Sequence, residues 1–238
     1  MMTTRVIAVV GGTGAQGGGV VDALLANGGF GVRVASRNPD SDGARALAAR
    51  GVEVVKADLL DPASLGAFFG GAHGAFIVTN FWDPTQMTRE TEVGSTAVRA
   101  AREAGVEHLV WSTLPNSAAI SGGELAVTHF TSKALVDEVV AAAGFPRYTF
   151  VGAPMYFQNF LTMMGPQPLP TGGKGWAVPM DPAARVIHAG DVSEVGLAVA
   201  AAFASTPEDL PNGAYLGVCG GTYSWNDFVE TLNAQGHA

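Results

Sequence analysis

The 238-residue chain reads as an α/β protein, a Rossmann-type doubly wound parallel sheet with a small C-terminal lobe. Three observations predict this. Short β-branched runs alternate with helix-like stretches through the first 151 residues, the pattern of successive βαβ units. The first run, Val6 to Val10, passes directly into a glycine-rich turn and then a helix. After Val151 prolines and glycines crowd in and the alternation lapses.

Val6 to Val10 has the length and branching of a strand buried on both faces. Gly11-Gly12-Thr13-Gly14-Ala15-Gln16-Gly17 follows, and an apolar stretch from Val20 to Leu25 continues as helix. Gly12, Gly14 and Gly17 satisfy G-x-G-x-x-G, while Gly11, Gly14 and Gly17 satisfy G-x-x-G-x-x-G. In either register glycine permits a tight turn with φ > 0 and lets backbone N–H groups approach a pyrophosphate. The helix N-terminus adds unpaired N–H groups and a positive dipole end. A strand before the motif and a helix after it are the context in which it binds a dinucleotide.

The second strand is expected at Gly31 to Ala35, ending at Ser36-Arg37. A helix over Asp42 to Arg50 stops at Gly51, and Val52 to Lys56 forms a third strand that ends at Asp58. Asp61 can cap a helix through Phe69, with Pro62 suited to its first turn. Gly74 to Thr79 is the fourth strand, Thr85 to Ala104 a long helix, and His108 to Ser112 the fifth strand. Glu124 to Ala143 is a further helix and Arg147 to Val151 a sixth strand. Six strands joined by right-handed crossovers make the doubly wound sheet. A dinucleotide-binding domain is therefore expected over residues 1–151 and a small, partly irregular substrate or partner lobe over 152–238. In that lobe Asp191 can cap a helix running to about Phe203, and Ser224 can begin another within Tyr223 to Leu232.

The composition is globular, with 47% hydrophobic and 14% charged residues, and the net charge is −8. An acidic chain of this kind lacks the basic face that nucleic acid requires. No run approaches the 20 apolar residues of a membrane span. The N-terminal apolar run is too short for a signal peptide and enters glycines rather than a cleavage site. One cysteine, Cys219, suits a reducing cytoplasm and is expected to be a small buried hydrophobe. Five scattered histidines give no zinc spacing, so no metal is expected. Neither a G-x-S-x-G turn nor a Walker A lysine is present, which leaves hydrolase and kinase readings without support.

The tip of the second strand selects the dinucleotide. An acidic residue there would bond the ribose 2′-hydroxyl of NAD, whereas arginine accommodates the 2′-phosphate of NADP. Ser36 and Arg37 occupy it, and Arg37 can grip a phosphate bidentately. NADP is the expected cofactor, with NAD as the alternative. Asp58, with Leu59 beside it, is placed to accept from the adenine amino group or else serves as a turn residue. Thr79, Asn80, Phe81 and Trp82 end the fourth strand and should line the nicotinamide end, because ligands lie at the carboxyl ends of strands in open α/β sheets.

His129 and Lys133 share one helix face at four-residue spacing. Short-chain dehydrogenases place tyrosine and lysine there, with serine or threonine from the preceding strand, here Ser112-Thr113. Histidine stands at the tyrosine place in this chain. Lys133 can bind ribose, or act as a catalytic base if burial depresses its pKa. The proline-rich segment offers Met155, Tyr156, Phe157, Phe160, Met163 and Met164 for an apolar pocket.

Val9-Val10-Gly11-Gly12-Thr13-Gly14-Ala15-Gln16-Gly17-Gly18, Arg37-Asn38-Pro39, Ile77 through Trp82, His129-Phe130 with Lys133, and Pro154 through Asn159 together resemble the NmrA-like family of atypical short-chain dehydrogenases, most closely its redox-sensing branch. The resemblance implies NAD(P) binding, with Gly11 to Gly17 on the pyrophosphate and Arg37 on the 2′-phosphate. It places Thr79, Asn80 and Lys133 around the nicotinamide riboside, with Pro154, Met155, Tyr156 and Phe157 closing over it. The expected function is an NADP(H)-responsive redox sensor in the cytoplasm. The alternative is an NAD(P)H-dependent reductase acting on a small aromatic substrate. Partners would be the dinucleotide, that substrate or a protein, and a second copy of the chain. Family members commonly run some tens of residues past a segment like Tyr223 to Leu232, so a shortened lobe is expected.

Overall fold

The computed structural model describes residues 5–170 and 172–236. The outermost ends of the two expected domains, at residues 1–4 and 237–238, lie outside the described residues.

The elements follow the alternation in the sequence. They run β1 (Arg5–Val9), α1 (Ala15–Asn27), β2 (Phe30–Ser36), α2 (Asp42–Ala49), β3 (Glu53–Lys56), α3 (Pro62–Phe69), β4 (Gly74–Ile77), α4 (Glu90–Glu103), β5 (His108–Thr113), the short α5 (Ser117–Ile120), α6 (Thr128–Ala142) and β6 (Arg147–Gly152). Beyond these lie β7 (Met155–Tyr156), a 3₁₀ turn over Phe157–Leu161, β8 (Gln167–Pro168), β9 (Lys174–Gly175), β10 (Ile187–Gly190), α7 (Val192–Ala204), β11 (Ala214–Gly217), β12 (Gly221–Tyr223) and α8 (Trp225–Ala234).

Seven strands form the main sheet in the order β11-β6-β5-β4-β1-β2-β3, and all its pairings are parallel. The chain winds from β1 to one edge through β2 and β3, then returns to build the other side from β4. β1 and β4 therefore flank the switch point where such sheets bind ligands. Alternate residues of β1 serve the two faces, as the period of two in a strand requires. Ile7 and Val9 pack beneath α1 and α7 with Val20, Leu24, Val195 and Phe203. Ala8 and Val10 pack beneath α3, α4 and α6 with Phe68, Ala97, Trp111 and Val136.

Three expectations are corrected here. The sheet has a seventh strand, β11, supplied by the segment expected to lie wholly in the lobe. The Arg147 guanidinium secures its approach by donating to the Ser205, Thr206 and Leu210 carbonyls at 2.5–3.1 Å. The long helices start later than expected, at Glu90 and Thr128, because residues 83–89 and 121–127 close hydrogen-bonded turns of their own. Asp61 sits at the N-cap of α3 but its side chain makes no capping bond, since the Ser64 hydroxyl takes up the local backbone groups instead.

Asp191 and Ser224 do cap α7 and α8 as their side chains predict, Ser224 within a reciprocal capping box. The smaller part of the chain is held by a three-stranded sheet, β12-β10-β7. An aromatic cluster of Phe160, Trp176, Trp225 and Phe228 packs there. Phe160 is thus a packing residue, while Met163 is exposed. Cys219 is exposed rather than buried. Its thiol lies 3.0 Å from the Gly221 carbonyl, on the turn between β11 and β12.

Candidate functional site

The carboxyl ends of β1 to β4 open into a cleft of about 630 Å³. Its floor is the glycine turn. Gly11 has φ 71°, the left-handed region that glycine enters without steric cost. Its carbonyl accepts from Gly14 N–H at 2.9 Å. A Cβ on Gly17 would lie 2.3 Å from that same carbonyl oxygen, so the turn closes only with glycine there. Gly14 is the N-cap of α1 and supplies no side-chain cap. The first turn of α1 thus faces the cleft with backbone donors alone, the arrangement that receives an anion.

Gly11, Thr13, Gly14, Ala15, Gln16 and Gly17 line this floor. Gly12 does not; a Cβ there would meet Val34 at 2.6 Å, so its role is close packing of the turn on β2. Gln16 is tied to the fifth strand, its amide donating to Ser112 Oγ at 2.9 Å. Ser112 is therefore bound into the turn.

Ser36, Arg37, Asn38 and Ser41 form the wall after β2, and Ala57, Asp58 and Leu59 the wall after β3. Asp58 Oδ1 accepts from Leu60 N–H at 3.0 Å, which is its turn role, while the residue still faces the cleft. Thr79 and Asn80 close the wall after β4, joined by Asp83 and Gln86. Asp83 pairs with Arg37 at 3.2 Å. The Gln86 side chain is 8% exposed, and its Oε1 has no hydrogen-bond partner among the described residues. A buried unpaired amide oxygen at a cleft wall is a place where a ligand donor gains a bond.

Lys133 lies behind Thr79 and is not one of the cleft-lining residues. Its Nζ donates to Thr79 O at 2.8 Å, Thr79 Oγ1 at 2.8 Å and Glu90 Oε1 at 2.5 Å. Thr79 Oγ1 in turn donates to Glu90 Oε1 at 2.7 Å, and Ser132 Oγ donates to the other carboxylate oxygen. All three ammonium protons thus have acceptors. Burial pulls the Lys133 pKa down from its ordinary value, against the opposing pull of the Glu90 charge.

Phe81, Trp82 and Phe130 surround the His129 ring at centroid distances of 4.8–5.5 Å. This partial burial lowers the His129 pKa and keeps the imidazole neutral near pH 7. Phe81 also borders a second cavity of about 650 Å³ with Met87, Ala126 and Leu135. Pro154, Met155, Tyr156 and Phe157 do not line the cleft. β7 pairs with β10, and Phe157 packs edge-to-face against Tyr223 with ring centroids 5.6 Å apart.

Glu90, Asp83 and Gln86 are the site residues that motif reasoning missed. In the sequence Glu90 looks like an ordinary acidic first-turn residue of a helix, yet it is 1% exposed. Its partner lies 43 positions away, so no local pattern could have marked it.

A match to the model of the NmrA-like family extends over residues 3–236. The chain belongs to the NmrA-like family. Among curated relatives, an NmrA-like family domain-containing oxidoreductase of Cladobotryum sp, FrzB, is 39% identical over 163 residues, covering 66% of this chain and 48% of its own length. The corresponding oxidoreductase himF of Aspergillus japonicus is 35% identical over 180 residues, covering 72% and 54%. The chain thus spans about half the length of these NmrA-like relatives. A solved structure of Nmra, a negative transcriptional regulator in complex with NAD, aligns with a TM-score of 0.81 at 28% identity, covering 97% of this chain and 72% of that one. Nmra has also been solved with NADP. A Citrobacter sp. triphenylmethane reductase complexed with NADP(H) shares the fold at 20% identity and a TM-score of 0.73, covering 97% and 75%. The Rossmann-type α/β architecture predicted from the alternation is the architecture observed, with β11 as a seventh strand.

Proposed function

We propose that this NmrA-like protein binds a nicotinamide dinucleotide in the cleft, NADP in preference to NAD, and works as an NADP(H)-responsive sensor. The observation that carries the sensor reading is the state of Lys133. Its ammonium is locked behind Thr79 by three acceptors, and helix α6 holds no tyrosine. The dehydrogenase proton relay therefore has neither its phenol nor a lysine free in the cleft.

In this reading the glycine turn from Gly11 to Gly17 takes the pyrophosphate, Ser36 and Arg37 the 2′-phosphate, and Asp58 and Leu59 the adenine. Thr79 and Asn80 face the nicotinamide riboside, with Phe81 beyond the cleft at the second cavity. The segment Pro154 to Phe157 would close over that end, and Lys133 would support the ribose through Thr79, whose carbonyl and hydroxyl accept from it. The fit rests on the tight turn that closes only with glycine at position 17 and on the uncapped N-terminus of α1. The division into a dinucleotide-binding body (1–151) and a lobe (152–238) is kept in this reading, with α7 and β11 lent back to the body. A cytoplasmic setting, a protein partner and a homodimer belong to it as well.

One observation favours a second reading, an NAD(P)H-dependent reductase for a small aromatic substrate: the curated relatives are named oxidoreductases. Titration with NADP, NADPH and NAD, followed by a screen of aromatic carbonyls for NADPH oxidation, separates the two. The sensor reading expects binding without turnover. Turnover that Lys133→Ala abolishes would overturn it.

A further inference from the structure

Arg37 and Asp83 come from opposite walls of the cleft. Arg37 follows β2 and Asp83 lies in the turn between β4 and α4, so their ion pair ties the two walls together. The two ends differ in character. The Arg37 side chain is 66% exposed and Asp83 only 13%. Asp83 Oδ1 is committed within its own turn, accepting from Thr85 N–H at 3.0 Å and Thr85 Oγ1 at 2.6 Å. Oδ2 is the oxygen that accepts from Arg37. The Thr85 donors, and then Arg37, lower the Asp83 pKa, so the carboxylate is charged at neutral pH. A fixed anion therefore faces a long, exposed cation.

The second strand ends without a carboxylate of its own, the residue type that would accept from the 2′-hydroxyl of NAD. Asp83 brings one to the end of the Arg37 side chain from the other wall. A 2′-phosphate carries roughly −1.5 to −2 charges and calls on the Arg37 fork. It must then take Arg37 from Asp83 while lying within a few ångströms of that carboxylate.

We propose that Asp83 determines the 2′ selectivity of the cleft: it accepts from the ribose 2′-hydroxyl of NAD, competes with the 2′-phosphate of NADP for Arg37, and on NADP binding releases the turn over residues 83–89 from β2. The proposal rests on the reading that Arg37 faces the adenosine 2′ position. It makes the cleft a discriminator with one residue for each cofactor. It also gives the protein a physical difference between its NAD-bound and NADP-bound forms, which a sensor requires. Residues 83–89 lead directly into Glu90, the partner of Lys133, so the released turn adjoins the nicotinamide end.

The test is calorimetric titration of the full chain with NAD and with NADP. Asp83→Asn keeps the Oδ1 acceptor for Thr85 and removes the charge. It should tighten NADP about ten-fold and weaken NAD several-fold, as loss of a like charge near a phosphate implies. Asp83→Ser serves as a second variant should the first fold poorly, and both are checked by thermal melting. Equal effects on the two cofactors, or none, with Arg37→Ala still selective against NADP, would overturn the role of Asp83 and leave the Arg37 reading intact. Equal weakening by Arg37→Ala would instead overturn the underlying reading. Amide exchange over residues 83–89 should rise with NADP and not with NAD; the same exchange in both complexes would overturn the release.

Discussion

Gly19 and Gly196 bring the backbones of α1 and α7 into direct contact: a Cβ on Gly196 would lie 2.1 Å from the Gly19 carbonyl oxygen. The contact seats the helix that opens at the glycine turn. Gly196→Ala must push the two helices apart, an overpacking that costs roughly 1–3 kcal/mol. Urea unfolding should show that loss, together with weaker NADP binding. A variant as stable as the wild type would mean that the helices can separate freely.

Gly17→Ala acts on the cradle itself. With a Cβ 2.3 Å from Gly11 O, the turn must open and its N–H groups lose their aim. NADP affinity should fall by more than ten-fold, about 1.4 kcal/mol, while the rest of the sheet stays folded by circular dichroism.

Arg37→Ala should weaken NADP by at least ten-fold more than NAD, because a bidentate charged contact to the 2′-phosphate is lost and a 2′-hydroxyl makes none. Paired titrations with the two cofactors give the ratio.

Glu90→Ala leaves the Lys133 ammonium buried beside Thr79 without its counter-charge. Breaking one side of a buried pair costs roughly 3–5 kcal/mol, which chemical denaturation will read. Glu90→Gln keeps an acceptor and should cost less. In both variants the upward pull of Glu90 on Lys133 is gone, so its pKa falls further. Carbon-detected NMR of the lysine Cε can follow this.

A buried histidine and a half-buried aspartate set opposite pH trends. His108 lies in the core against Thr149, and burial, followed by the Arg147 charge, lowers its pKa to about 3. The unfolded chain takes up a proton near pH 6.5 that the native one refuses. Its contribution is complete above pH 6.5 and is lost as the pH falls toward 3. Asp137 is the reverse: burial raises its pKa from 3.8 to about 6, and its Oδ1 lacks a partner among the described residues. The native protein holds a proton that the unfolded chain has released, so this contribution is full below pH 3.8 and lost as the pH rises through 6. Asp137→Asn should match the wild type near pH 4 and exceed it by about 1 kcal/mol at pH 7, a value discounted for the partly exposed carboxylate. A constant difference across that range would exclude Asp137 as the titrating group. His108→Gln should flatten the acid limb.

The elements with strong local signals were readable before the fold was seen. β1 and the glycine turn are one contiguous string whose chemistry needs no distant partner, and the caps at Asp191 and Ser224 act over two or three residues. β11 was not readable. It has four residues between Pro211 and Gly220, and Tyr215 on it is exposed, so it shows neither a buried run nor a clean alternation. The delayed starts of α4 and α6 escaped for a related reason. Residues 85–89 and 124–127 are helix-compatible in composition, and turns set by the Asp83 and Ser121 side chains just before them decide otherwise.

For the site the division is sharper. The glycine turn is contiguous in sequence, so a linear motif was enough to place the floor of the cleft. Charge pairing is different, because it depends on distances between residues that the chain separates by tens of positions. Arg37 and Asp83 are 46 residues apart, and Glu90 and Lys133 are 43. No pattern along the chain encodes that Lys133 ends up in an ion pair behind Thr79. The same holds for the carboxylate missing from the second strand, which arrives from the opposite wall. Folding decides both, because Coulomb energy falls with separation in space and is indifferent to separation in sequence.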